Sequence, residues 1–360
     1  MSTTSEPTRT LRRTAAPSLR SVLGGIAVFA IVCGATPAVH AQDVEAFYRG
    51  KTIDLIVGAS SGGTYDTYAR ALARHLSEHI PGKPNIVAKN VVGAGSLIAA
   101  RNLFTQAPKD GTVIGTIMRG AVMEPLLGDQ QNANFDSRKF NFLASASTAN
   151  DGTCIVRPDA KVQTFKQLFD EQLTVGASGR GAAISDMPRY LNNLLNTKLK
   201  IVAGYQGVPE TILAFQRGEV EGICGLQYKD LPRQIPSWSE GKVKAIVQIG
   251  MRNDDEMSKR NIPTIWEFIS NPEDRAVLEL VFGQLEFGRP FVAPPGVPAD
   301  RVAALRKAFD DTFKDKEFVA AIEKLQLDLD PRSGEEVQAL VEKLFSAPPA
   351  LVSRARKIVE

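Results

Sequence analysis

Residues 53–80 constrain the fold of this chain more than any other stretch, because an apolar run, a glycine-rich turn and an amphipathic segment follow one another directly. The β-branched and aliphatic residues from Ile53 to Val57 predict a short buried strand of a parallel sheet. Residues 58–63 include three glycines, which favour a turn with unusual backbone angles. Apolar residues then recur at helical spacing from Tyr65 to Ile80, and Pro81 ends the helical pattern.

A strand, a tight turn and a helix start in this order leave unpaired backbone N–H groups pointing at one spot. The helix dipole adds a partial positive charge there. The sequence therefore predicts an anion site at this turn, most simply for a carboxylate. An ordinary strand-to-helix turn without a ligand explains the same residues equally well.

Two catalytic patterns overlap this stretch, and neither is supported. Residues 58–62 match the G-x-S-x-G nucleophile elbow, but a hydrolase of that type needs a later histidine as base, and the only histidines are His40, His75 and His79. Residues 75–79 read H-x-x-E-H, yet they occupy the last turn before Pro81, at the opposite end of the helix from the glycine turn. We predict no catalytic residues, no metal and no cofactor.

The N-terminal residues are typical of an export signal. Four arginines precede an apolar run over residues 22–35, and Val39-His40-Ala41 follows as a small-residue cleavage site. We predict a signal peptide over residues 1–41, cleavage after Ala41 and a periplasmic location. Its removal changes 43 basic and 40 acidic residues to 39 of each, so a nucleic-acid partner is not expected.

Two cysteines, Cys154 and Cys224, remain after removal of the leader. In an oxidising compartment they are expected to form a disulfide. Two buried free thiols are the alternative.

Strands alternate with helices along most of the chain, which implies an α/β fold with mainly parallel sheets. A second strand, Gly/Ser turn and helix are predicted at residues 173–195, so the strand-turn-helix arrangement of residues 53–80 occurs twice. Two such turns suggest two lobes facing one ligand. Near the C-terminus, residues 300–313, 316–325 and 333–345 predict three further helices.

Residues 45–345 resemble the substrate-binding proteins of tripartite tricarboxylate transporters, the TctC or Bug family. The resemblance rests on the order and spacing of several motifs. These motifs are Tyr48-Arg49-Gly50-Lys51, the Gly-Gly-Thr-x-Asp loop at residues 62–66, Gly93-Ala94-Gly95, Pro108-Lys109-Asp110-Gly111, Gly204-Tyr205-Gln206-Gly207 and Ala293-Pro294-Pro295-Gly296.

The resemblance implies a two-lobed, type II periplasmic-binding-protein-like fold with the ligand cleft between the lobes. The first domain would comprise residues 42–149 and 256–360, and the second domain residues 150–255. The implied ligand contacts are Ala59, Ser60, Ser61, Gly62, Gly63, Thr64, Asp66, Met118, Arg119, Ala177, Ser178, Gly179, Arg180, Tyr205, Gln206, Leu226 and Gln227.

Within this set, Arg119 and Arg180 are candidates for bidentate recognition of a carboxylate, and a surface arginine at a loop tip is the alternative for each. The uncharged residues 225–227 replace an acidic position that meets a ligand amine in the family. This departure disfavours an amino-acid ligand.

The resemblance implies a monomeric receptor that captures a small carboxylate and delivers it to the subunits of a membrane transporter. A receptor that presents the bound acid to a membrane signalling partner is the alternative from another functional class. A hydrolase is disfavoured by the positions of the histidines.

Overall fold

The computed structural model describes residues 38–128 and 133–359. Most of the predicted signal peptide, residues 1–37, lies outside the described residues. The predicted cleavage point after Ala41 falls on the first described helix, Ala38–Tyr48. None of the described helices is long and apolar enough to cross a membrane.

The described strands, in chain order, are β1 Thr52–Val57, β2 Asn85–Asn90, β3 Val113–Thr116, β4 Asn141–Ser145, β5 Gly152–Val156, β6 Leu173–Gly176, β7 Leu199–Val202, β8 Gly222–Gln227, β9 Lys244–Ile249, β10 Pro290–Ala293 and β11 Arg332–Ser333. The described α-helices are α1 Ala38–Tyr48, α2 Thr64–His79, α3 Leu97–Thr105, α4 Arg119–Leu127, α5 Ala183–Leu195, α6 Val208–Arg217, α7 Leu231–Gln234, α8 Pro236–Ser239, α9 Asp255–Lys259, α10 Pro272–Phe282, α11 Ala299–Lys314, α12 Lys316–Lys324, α13 Gly334–Phe345 and α14 Pro349–Val359. Short 3-10 helices cover Ala94–Ser96, Ser137–Lys139, Phe165–Phe169, Tyr228–Asp230, Ile265–Phe268 and Gly283–Phe287.

Two sheets flanked by helices form two lobes. The first sheet has the strand order β11-β4-β10-β3-β1-β2, and the second has the order β7-β6-β8-β5-β9. The two-lobed α/β architecture expected from the sequence is confirmed. The strands between residues 152 and 249 form one sheet, and the earlier and later strands form the other. The domain limits at residues 149/150 and 255/256 stay a prediction.

The sheets are mixed, so the expectation of mainly parallel sheets is wrong for part of each lobe. β1 runs parallel to β2 and β3, and β6 runs parallel to β7 and β8. In contrast, β10 is antiparallel to β3 and β4, and β5 is antiparallel to β8 and β9. β5 and β10 follow the passages of the chain from one lobe to the other. They therefore do not need the helical crossover that brings a strand back parallel in the same sheet.

The first strand and helix follow directly from the residues that predict them. Ile53, Leu55 and Val57 in β1 are fully buried, and helix α2 buries one apolar side that includes Leu72 and Leu76. Burying these side chains removes apolar surface from water, and this holds α2 against its sheet.

The two passages between the lobes are hydrogen-bonded to each other. The Ala146 N–H donates to the Arg289 carbonyl oxygen at 3.1 Å, and the Ala149 N–H donates to the Leu285 carbonyl oxygen at 2.7 Å. A Cβ atom on Gly288 would lie 2.7 Å from the Thr148 carbonyl carbon, so these segments pack backbone against backbone. These paired segments carry the chain between the lobes, and we call them the hinge segments.

The C-terminal helix Pro349–Val359 was not anticipated, and it contacts both lobes. Arg356 Nε donates to the carbonyl oxygen of Leu126 in the first lobe at 2.9 Å. Asn193 Nδ2, in the second lobe, donates to the carbonyl oxygen of Ile358 at 2.8 Å. This helix therefore acts as a third connection between the lobes, in addition to the two hinge segments.

Cys154 and Cys224 form the predicted disulfide. They lie directly opposite each other on the antiparallel strands β5 and β8. Both side chains are fully buried, so the bond links two neighbouring strands of the second lobe from within its core.

Candidate functional site

The first-lobe turn, residues 58–63, is shaped by Asp66. One Asp66 carboxylate oxygen accepts the Gly62 N–H at 2.8 Å, and the other accepts Asn90 Nδ2 at 2.8 Å. Burial opposes ionisation of this carboxyl. Hydrogen bonds from Arg70, Gly62 and Asn90 outweigh burial and keep its pKa below the ordinary value. The carboxylate therefore stays ionised and holds the turn in one conformation.

Arg119 enters the space between the lobes from the end of the third strand. It is the first residue of helix Arg119–Leu127 and is only 6% exposed. Its Nε has no hydrogen-bond partner, and no carboxylate of residues 38–128 or 133–359 forms an ion pair with it. A buried cation without a counter-ion is costly, so this side chain is suited to receiving an anion.

The two lobes touch through their backbones. A Cβ atom on Gly95 would lie 1.4 Å from the carbonyl oxygen of Arg180, and one on Gly120 would lie 2.2 Å from that of Gly181. Any side chain at these two first-lobe positions would separate the lobes. The conformation is therefore closed, with glycine allowing the close approach.

Thr64 joins the lobes through its hydroxyl group. Thr64 Oγ1 donates to Asp230 Oδ2 at 2.7 Å and accepts hydrogen bonds from Arg233 Nη2 at 3.0 Å and Gln234 Nε2 at 2.8 Å. One donor and two acceptor positions are all that a hydroxyl offers. The second lobe therefore uses every hydrogen-bonding position of the Thr64 hydroxyl. We call these three contacts the Thr64 latch.

A cleft of about 670 Å³, counted to its open mouth, lies between the closed lobes. The first lobe contributes Ala59, Ser60, Gly63, Thr64, Tyr65, Met118, Arg119 and Arg289, and the second lobe contributes Gly181, Ala182, Ala183, Ile184, Gly207, Val208, Pro209, Gly225, Leu226, Gln227, Asp230 and Gln234. The charged side chains in this lining are two arginines and one aspartate, so the cleft is net positive.

A buried ion pair connects the cleft to the hinge. Arg289 Nη2 lies 3.2 Å from Asp230 Oδ2, and each residue is 4% exposed. Arg289 Nη1 also donates to Ser147 Oγ at 2.7 Å and to the Thr148 carbonyl oxygen at 3.1 Å. Burial disfavours the charge on Arg289, but the neighbouring Tyr68 and Asp230 reverse this and raise its pKa above the ordinary value. The guanidinium stays charged and ties the second lobe to the hinge.

No family model matches the chain. A curated relative from Agrobacterium vitis, the UPF0065 protein in the TAR-I ttuE-ttuC' intergenic region, is 25% identical over 205 residues, or 54% of this chain. The match spans 56% of that relative's length.

Solved structures cover more of the chain. The periplasmic binding protein BugD superposes with a TM-score of 0.69 at 22% identity, covering 87% of this chain and 99% of its own. MatC from Rhodopseudomonas palustris with bound malate gives a TM-score of 0.65 at 21% identity, and the match covers 86% of this chain and 99% of MatC. An R. palustris protein with adipate gives a TM-score of 0.66 at 18% identity, and the match covers 85% of this chain and 97% of that protein. The fold is that of a periplasmic binding protein.

In this periplasmic-binding-protein fold, the residues singled out from the sequence separate into three groups. Eight of them line the cleft: Ala59, Ser60, Gly63, Thr64, Met118, Arg119, Leu226 and Gln227. Four others, Ser178, Gly179, Tyr205 and Gln206, line a neighbouring recess that shares Ala59, Ser60 and Met118 with the cleft. The remaining ones lie behind or outside the cleft: Ser61, Gly62, Asp66, Ala177 and Arg180.

Arg180 does not line the cleft. Its Nη2 donates to the carbonyl oxygen of Val359 at 3.0 Å, so it holds the end of the C-terminal helix. The arginine that accompanies Arg119 in the cleft is Arg289, which sequence reasoning missed. Its position directly before the buried strand Pro290–Ala293 was an available signal.

Asp230 was also missed. Residues 225–227 are uncharged as noted, but the chain continues into a 3-10 helix, Tyr228–Asp230, that returns an acidic side chain to the cleft. Its charge is balanced by Arg289. The argument against an amino-acid ligand therefore rests on this ion pair and not on the absence of an acid.

The histidines of helix Thr64–His79 have structural contacts. His79 Nε2 lies 2.9 Å from Asp315 Oδ2, and the His75 ring packs edge-on against Phe318. Both lie at the end of the helix opposite the glycine turn. Among the described residues, no group of three or more possible ligand side chains is arranged to hold a metal ion.

Proposed function

We propose that this chain is an extracytoplasmic solute-binding protein that captures a small organic carboxylate. The observation that carries the proposal is the guanidinium of Arg119, which is buried in the inter-lobe cleft and has no counter-ion within residues 38–128 and 133–359. The net positive lining and the strand-turn-helix motif beside it support an anionic ligand. Malate and adipate in two structural neighbours support the same ligand class.

We further propose that the protein is exported by the signal peptide over residues 1–41, acts as a monomer and delivers its ligand to the subunits of a tripartite tricarboxylate-type transporter. The neighbours include periplasmic solute-binding proteins of the TctC and Bug type, which supports this partner. Co-purification from native membranes, followed by mass spectrometry, distinguishes a transporter partner from a signalling partner.

Calorimetry against mono-, di- and tricarboxylates tests the ligand class. Neutral sugars and amides of matched size serve as controls. We expect at least one small carboxylate to bind, and the amides of the same carbon skeletons to bind more weakly because they cannot pair with Arg119. Tight binding of a neutral solute with no binding of any carboxylate would refute the proposal.

The Thr64 latch predicts how long the ligand is retained. Thr64→Val keeps the shape of the side chain but removes three hydrogen bonds between the lobes. We expect affinity to fall by about 5- to 30-fold, mainly through faster dissociation, because the open state gains relative to the closed state.

Stopped-flow fluorescence of Trp238 can measure this dissociation rate. Trp238 lies in helix Pro236–Ser239, which comes next in the chain after helix Leu231–Gln234 with its Thr64 contacts. Thr64→Ser is the matched control, because it retains the hydroxyl. Equal dissociation rates for the valine and serine variants would mean that the latch does not hold the lobes closed.

A further inference from the structure

Behind the cleft, the lobes meet along a second seam formed by one side of helix Arg119–Leu127. Gly120 and Glu124 are four residues apart and therefore lie on the same face of this helix. Gly120 packs on the backbone of Gly181 in the second lobe. Glu124 lines a small recess with four residues of the second lobe, Arg180, Asp186, Arg189 and Tyr190. The helix that presents Arg119 to the cleft thus also forms the first-lobe side of this second contact between the lobes.

Asp186 holds the second-lobe turn in the way that Asp66 holds the first. It lies in the first turns of helix Ala183–Leu195, is 6% exposed and accepts the Gly181 N–H at 3.2 Å. Arg189 on the same helix pairs with this carboxylate. Gly181 has a positive φ of 84° and lines the cleft. The carboxylate of Asp186 therefore fixes a turn that faces the ligand on one side and Gly120 on the other.

The two aspartates differ in their surroundings. The pKa of Asp66 is lowered, whereas that of Asp186 is raised from 3.8 to about 6. Burial is the main cause of the rise, and Arg189 and the Gly181 N–H oppose it. Glu124 in the first lobe raises it further. Arg180 and Tyr190 are the other titratable groups lining this recess.

We propose that Asp186 is a positioning residue for the ligand, and that protonation of its carboxyl group favours closure of the lobes. The inference rests on the proposed function and extends it to the regulation of the same site. Closure brings Glu124 against the carboxylate and completes its burial, and both changes disfavour the negative charge. The closed state therefore binds a proton more tightly than the open state does.

The sign of the pH effect follows from this linkage. A carboxyl pKa that is higher in the closed state favours closure at low pH, and this contribution is lost as the pH rises through about 6. Only the part of the shift that arises on closure affects the ligand. We therefore expect affinity to be roughly two- to fourfold higher at pH 5.5 than at pH 7.5, because a closed-state pKa of about 6 limits the gain at pH 5.5 to about fourfold.

The test is the dissociation constant of a bound carboxylate between pH 5 and 8, for the full mature protein and for Asp186→Asn. An asparagine oxygen still accepts the Gly181 N–H but cannot titrate, so the variant should bind well at pH 7.5 and lose the increase at low pH. Titration of the ligand and of Asp151, whose pKa burial also raises to about 6, is common to both proteins and cancels in the comparison.

Two further variants separate positioning from general stability. Asp159→Asn removes an exposed carboxylate, with 65% of its side chain exposed, and should keep the wild-type pH profile. Glu124→Gln should reduce the pH effect without abolishing binding, because it removes the first-lobe charge that faces Asp186.

An identical pH profile in wild type and Asp186→Asn overturns the inference and leaves the proposed function intact. If Asp186→Asn does not fold, an unchanged profile in Glu124→Gln overturns it instead. If wild type binds no carboxylate at any pH, the proposed function fails and this inference falls with it.

Discussion

Arg289→Met should lower the free energy of unfolding by about 3–5 kcal/mol, which is the usual cost of removing one partner of a buried ion pair. The variant leaves the Asp230 carboxylate, in a site that is 4% exposed, with only the longer 3.7 Å contact to Arg233 as an ion pair among the described residues. It also removes hydrogen bonds to Ser147 Oγ and the Thr148 carbonyl oxygen in the hinge. Urea denaturation followed by tryptophan fluorescence measures the loss.

The chain offers a matched control for this change. Arg252 pairs with Glu286 at 3.7 Å, but its side chain is 62% exposed, so Arg252→Met should cost less than about 1 kcal/mol. Arg289→Met combined with Asp230→Leu should recover part of the lost stability, because the double variant no longer buries the Asp230 carboxylate without Arg289, and the only other ion pair it breaks in the described part of the chain is the longer 3.7 Å contact to Arg233. A cost for Arg289→Met no larger than that for Arg252→Met would contradict the structural role of the ion pair.

Arg119→Ala should weaken carboxylate binding by roughly 10- to 100-fold, or about 1.5–3 kcal/mol, the range for a hydrogen bond to a charged group. Unlike Arg289, Arg119 has no counter-ion among the described residues. Its removal should therefore leave the stability of the free protein unchanged or slightly higher. Arg289→Met should therefore lower the stability of the free protein, whereas Arg119→Ala should lower the affinity for the ligand without lowering stability.

Calorimetry with a carboxylate identified in the panel, and thermal unfolding without ligand, measure the two quantities. Arg119→Lys should retain part of the affinity, since it keeps the charge but not the planar pair of donors. Arg217→Ala, at a side chain that is 70% exposed, controls for net charge. Unchanged affinity in Arg119→Ala would remove the observation on which the proposed function rests.

Features set by nearby residues could be predicted from the sequence. Strand β1, the glycine turn and helix Thr64–His79 follow from apolar spacing, glycine content and Pro81 over fewer than thirty residues. The helix predicted over residues 333–345 is Gly334–Phe345, and a capping box of Ser333 and Glu336 forms at its start. The disulfide followed from the predicted compartment and the cysteine count, because the predicted removal of residues 1–41 leaves only Cys154 and Cys224 to pair.

Features that depend on distant parts of the chain could not be predicted in this way. Arg180 and Arg289 are both arginines beside a glycine, yet the C-terminal helix engages the first and a strand inserted between β3 and β4 buries the second. The C-terminal helix is far from Arg180 in sequence, and β3 and β4, between which the strand after Arg289 inserts, are far from Arg289. Asp230 likewise becomes part of the cleft only because Arg289 and Thr64 reach it from elements far along the chain.

The sequence by itself determined the α/β class and the two strand-turn-helix units, because local apolar periodicity and turn chemistry specify those elements. Arg119, one of the two cleft arginines, came instead from the family resemblance. Only the tertiary structure decided which side chains meet across the cleft. The antiparallel insertion of β5 and β10, the crossing of the C-terminal helix and the glycine contacts between lobes are set by packing between distant segments. Each charged residue of the cleft is therefore defined by the partners that folding brings to it.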